Sequence, residues 1–127
     1  MNEISDSAVA AALRRHMAVA VARQVAGAGN LANVDTPNYK AVEVSFDETL
    51  GKRSAALTAT NPRHLGSPNG VGLSVDEIDS PARRDGNTVQ LDRELLTMAR
   101  AGGAFAAAQT ALSAKFRLIR YAINEVR

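Results

Sequence analysis

The last third of the chain carries an apolar seam that leaves few architectures open. Leu91, Leu95, Met98, Gly102, Phe105, Gln109, Leu112, Phe116, Ile119, Ile123 and Val126 step by four and three through five heptads without a slip. Only Gly102 and Gln109 are out of character on it. The seam predicts a helix over 88–126, roughly 58 Å long at about 1.5 Å per residue. A helix so long and so narrowly striped must lay that stripe on another helix. Asn87 or Thr88 can cap its start, and Asp92 and Glu94 fall in its first turns, near the positive end of the dipole.

The opposite end of the chain supplies the partner. Over 7–33, Ala10, Leu13, Met17, Ala20, Gln24, Gly27, Leu31 and Val34 recur at the same alternating steps. Ser5 or Asp6 can cap this second helix. Its stripe is made of small residues, and Gly27 and Gly29 weaken its last turns by up to about 1 kcal/mol each. Gln24 and Gln109 both fall on seams, either as matched polar specifiers of register or as solvent-facing residues.

Pro37 ends the first helix, because it has no N–H to donate and drives Thr36 out of the helical region. Asn33 and Asp35 are turn formers, and Asn38 tolerates a left-handed backbone. Beyond the break, Val42, Val44 and Phe46 alternate with Ala41, Glu43 and Ser45, which reads as a short strand with one apolar face. Residues 34–50 are thus a turn and an extended arm. The stretch 51–87 holds three of the four prolines and no period, and reads as irregular. A hairpin near Ser67–Gly70 and a short strand over 72–78 are its only regular features. The expected fold is mainly α: one domain over 1–127, its terminal helices paired as a coiled coil around a partly β middle.

Composition sets bounds on function. Of the residues, 46% are hydrophobic but only 4% aromatic, so alanine dominates and the core is thin. The free monomer is therefore expected to be largely disordered and to gain order from partners. With no cysteine, thiolate zinc sites and Cys nucleophiles are excluded. His16 and His64 stand without a second ligand at metal spacing, and "SVDEIDS" lacks the spacing and glycine of a calcium loop. No nucleophile elbow, phosphate loop or convergent polar cluster occurs, so neither an enzyme nor a cofactor or metal site is expected. A net charge of +2 gives no basis for nucleic-acid binding.

No apolar run is long enough to span a bilayer, and acids precede the first apolar residues, the reverse of a cleaved leader. Arg14, Arg15 and Arg23 face no acid on the first helix, whereas Glu43, Asp47 and Glu48 cluster after the break. That asymmetry suits complementarity between neighbouring copies. The small residues of "AGGAFAAAQTALSA" suit close approach by several helices.

The segment "NLANVDTPNYK" resembles the signature of the flagellar basal-body rod and hook family, usually A-N-x-A-N-x-x-T-P-G-Y-K. Asn30, Ala32, Asn33, Thr36, Pro37, Tyr39 and Lys40 fit it, and Asn38 stands where the family has glycine. "DGNTVQLDRELLTMA" resembles the run that opens the C-terminal helix in proximal-rod members, through Gly86, Asn87, Val89, Leu91, Asp92 and Glu94. "TATNPRHL" adds to that likeness.

The resemblance implies a structural subunit of the proximal rod. Such a subunit is exported unfolded by the flagellar type III system without a cleaved signal peptide. It assembles helically in the periplasm around the export channel and transmits torque. Its implied partners are copies of itself, other rod proteins, and the MS-ring and export-gate components, with no nucleic acid and no membrane insertion. In this reading the extended arm over 39–46 packs on an adjacent subunit. Alternatives are a sibling proximal rod subunit, or a membrane-active or secreted amphipathic helical protein.

Overall fold

The computed structural model describes residues 6–46 and 73–125. Four elements follow in chain order: α1 (Asp6–Ala32), β1 (Val42–Phe46), β2 (Leu73–Glu77) and α2 (Leu91–Glu125). The expected hairpin near Ser67–Gly70, together with His64, Asp47, Glu48, Ser5 and Val126, lies outside the described residues.

The helices pack against each other antiparallel. Gly27 of α1 lies against Met98 and Glu94 of α2, and Gln24, nearer the start of α1, lies over Gly102, farther along α2. Gly27 is what allows the close approach: a Cβ there would sit 2.8 Å from Met98 Cγ. Ala20 and Gly27 are buried, and Ala10, Leu13, Met17, Gln24, Leu31 and Val34 are half-buried.

The α2 stripe differs from the expected one. Met98, Phe105 and Leu112 turn toward α1, but they are joined by Glu94, Ala101 and Ala108, not by Leu95, Gln109 and Phe116, while Gly102 is half-buried beneath Gln24. The covered seam is thus offset by one residue at every second step. Two interleaved four-three seams exist on this helix, and α1 takes the one whose alternate members are alanine. Leu91, Leu95, Phe116, Ile119 and Ile123 are left exposed. Small side chains on both helices permit a short interaxial distance, which bulky Phe116 would prevent. Of the two seam glutamines, Gln24 lies against Gly102 while Gln109 faces solvent.

The described part of the extended arm is the strand β1, and it does not stand out from the molecule. β1 pairs antiparallel with β2 in the register Val42↔Glu77, Val44↔Val75, Phe46↔Leu73. It lies along its own α1, with Ala41 and Val44 buried, Arg23 Nε donating to Val44 O at 3.1 Å, and the Arg15 guanidinium 5.6 Å from the Phe46 ring centroid. An exposed alternation needs a cover for its apolar face, and the nearest cover is within the same chain. The short strand expected near 72–78 is β2 itself.

Candidate functional site

The two motif segments, about fifty residues apart in sequence, fold onto each other and close the end of the helix pair. Asn30 and Asn87 are the largest fully buried side chains. Each belongs to one motif, and each binds the other motif's surroundings.

Asn30 sits in the last turn of α1, one residue beyond Gly29. Its Nδ2 donates to Val42 O at 2.8 Å and to Glu94 Oε2 at 3.0 Å. Its Oδ1 accepts from Val42 N at 3.0 Å and Tyr39 Oη at 3.3 Å. One amide thereby pins α1 to the start of β1, to the motif tyrosine and to the first turn of α2. Glu94 is buried as well, which the sequence reading of it as a first-turn dipole partner did not anticipate. A buried carboxylate requires such a partner.

Asn87 holds the break itself. Its Nδ2 reaches Asn33 O at 2.9 Å, Val34 O at 3.2 Å and Thr36 O at 2.8 Å. These carbonyls lie just past the end of α1, where Asn33 O and Thr36 O also accept from Thr36 N and Tyr39 N of the following turns. The reading of Asn87 or Thr88 as the α2 cap is corrected here. α2 begins at Leu91, with Glu94 N donating to Gln90 O at 3.0 Å. Asn87 Oδ1 instead accepts from Val89 N at 2.7 Å, and Thr88 Oγ1 accepts from Ala41 N at 2.8 Å. Both side chains serve the crossing between motifs, not the helix end.

The remaining motif residues fill in the same joint. Asn33 Nδ2 donates to Gly29 O at 2.9 Å, and Thr36 Oγ1 donates to Asn33 Oδ1 at 3.2 Å. Asn38 adopts φ 59°, the left-handed conformation in which asparagine best replaces the motif glycine, and its N donates to Asp85 O at 2.9 Å. Gly86, at φ 79°, lies directly against the Asn38 side chain, with no space for a Cβ. Lys40 Nζ donates to Gly86 O at 3.3 Å, Thr88 N to Tyr39 O at 3.1 Å, and Arg83 Nη2 to Val34 O.

Pro37 makes no bond of its own and acts by ending α1; Ala32 is exposed at the last turn. Val89 is buried beside Thr88, while Leu91 and Asp92 are exposed. Every buried side-chain N and O among the described residues has a partner. Such a joint can fix geometry. No group of three or more His, Asp or Glu able to hold a metal occurs among the described residues.

Relatives among known proteins carry one name. The chain is 40% identical over 74 residues to the flagellar basal body rod protein FlgB of Bacillus subtilis, covering 55% of this chain and 57% of that protein. It is 39% identical over 85 residues to FlgB of Escherichia coli and 36% identical over 85 residues to FlgB of Salmonella typhimurium, in both cases covering 57% of this chain and 61% of the relative. The match therefore spans less than two thirds of these relatives' length. No family model matches the chain. The class these relatives support is that of flagellar basal-body rod proteins, as the motif resemblance implied. Within that class, FlgB is the family they support.

Proposed function

We propose that the chain is a structural subunit of the proximal rod of the flagellar basal body. In this reading it assembles helically around the export channel, forms part of the drive shaft and transmits torque. One observation carries the reading beyond the names of the relatives. After the motif joint has closed one end of the helix pair, the far end of α2 still exposes Phe116, Leu118, Ile119, Tyr121 and Ile123. The antiparallel register sets Asp6 opposite about residue 119, so the last turns of α2 extend past the first turn of α1. An exposed apolar arc of this breadth on a helix end calls for cover from neighbours.

Within the rod, the α1–α2 pair is completed as a coiled coil by helices of adjacent subunits, which take up the second seam of Leu95, Phe116, Ile119 and Ile123. The neighbours are copies of this chain, other rod proteins, and the MS-ring and export-gate components at the base. The subunit reaches the periplasm unfolded through the flagellar type III system. The alanine-rich interface and two-stranded sheet suit a chain that orders on arrival.

Deletion of the gene tests the reading. Loss of every axial structure beyond the base, restored by the intact chain in trans, is the expected result. An intact rod in the deletion strain would rule it out. The Arg117 and Arg120 guanidinium groups between apolar stripes also suit a membrane-surface helix. Binding to vesicles that depends on anionic lipid, with an intact rod in the deletion strain, would favour that alternative.

A further inference from the structure

The β-sheet and the helix pair carry surfaces of complementary chemistry. Val44 is 4% exposed, yet Val75, directly across from it on the same face of the sheet, is 63% exposed. That face therefore continues past α1 as a ledge of Leu73, Val75 and Glu77. From Leu73 to Ser80 the chain has three acids, Asp76, Glu77 and Asp79, and no base. A two-stranded sheet with an open, partly apolar edge strand gains stability from cover.

The counterpart is an open furrow of about 380 Å³ between α1 and α2. Its floor is apolar, with Val19, Ala20, Ala101 and Ala104, and its walls carry His16, Arg23 and Arg100. The one acid lining it, Glu43, is paired with Arg93 at 3.2 Å. A second hollow of about 260 Å³ adjoins it through His16, Val19 and Arg23 and adds Arg15 and Phe46. An apolar floor between cationic walls fits an extended segment that alternates an apolar residue with an acid. The ledge is such a segment: Val75 is two residues from Glu77, on the same face.

We infer that the acidic ledge of β2 in one copy seats in the Arg23–Arg100 furrow of a second copy, with Val75 toward the apolar floor and Glu77 toward Arg100. Ledge and furrow are different patches, so the contact is head-to-tail and repeats from copy to copy, as a helical or ring assembly requires. The inference rests on the rod reading and names the partner that the furrow takes.

The chain contains no cysteine, so paired Glu77→Cys and Arg100→Cys substitutions report on this contact alone. Oxidation of basal bodies purified from cells carrying the doubly substituted chain should give a ladder at multiples of the chain mass. A chain that co-purifies with basal bodies but gives no ladder overturns the inference and leaves the rod reading intact. A wild-type chain absent from purified basal bodies overturns both.

Charge reversal gives the second test, free of any crosslinker. Arg100→Glu and Glu77→Arg should each lower incorporation about tenfold, and the double reversal should restore it to within about threefold of wild type. A double variant no better than the singles overturns the inference.

Discussion

Asn30 and Asn87 connect segments that no local rule would join, and their energetic weight comes from burial. A buried amide with all its partners contributes modestly, whereas removing one partner strands the others at about 1–3 kcal/mol each. Asn30→Asp keeps the shape and the acceptor for Val42 N but loses the donor to Glu94 and sets two carboxylates together at the 3.0 Å contact. It should lower the stability of the assembled chain by about 3 kcal/mol, and Glu94→Gln in the same chain should recover about half, as read by chemical denaturation of purified basal bodies. Equal stability of the single and double variants would show that the two residues are not coupled.

Asn38 and Gly86 make a second pair. Gly86→Ala should cost about 2 kcal/mol, because it combines a positive φ with a collision on the Asn38 side chain. In an Asn38→Gly background only the backbone share remains, so the cost should fall to about 1 kcal/mol.

Within the elements, glycines separate propensity from packing. Gly103 has nothing within 4 Å of an added Cβ, so Gly103→Ala should raise stability by up to about 1 kcal/mol through helix propensity alone. Gly27 is opposed by Met98, and Gly27→Leu should force the helices apart and cost about 2 kcal/mol or more despite better propensity. Thermal melts of basal bodies carrying each variant check both signs.

The elements also show what the sequence made legible. The bounds of α1, the strand at Leu73–Glu77 and the left-handed Asn38 follow from local chemistry: a stripe, an alternation, a proline and a residue that tolerates positive φ. The partners of Asn87 and Glu94 do not, because hydrogen bonds spanning 51 to 64 residues leave no periodic trace. The α2 seam was half legible for a different reason. Apolar size marks Phe116 and Ile119 as the better stripe, but α1 is lined with alanine and glycine and accepts the narrower face of Ala101 and Ala108. The large side chains are left to other contacts.

For the whole molecule, one end is closed by the polar joint and the other is left apolar. If the exposed end of α2 is held by neighbours, its residues matter to assembly and little to the isolated fold. Ile119→Asp with Ile123→Asp should abolish incorporation into basal bodies while leaving the helix content of the free chain, read by far-UV circular dichroism, unchanged within about a tenth. Loss of helix without loss of incorporation would reverse that assignment.

The central claim is that the two ends of one chain lie against each other, joined through the motif segments, in the working assembly. The most direct measurement places cysteines at Gly27→Cys and Met98→Cys in this cysteine-free chain and oxidises intact basal bodies. The account predicts a product of single-chain mass with both thiols consumed, since residue 27 abuts Met98 within the same molecule. Free thiols, or crosslinks formed only between chains, would contradict it.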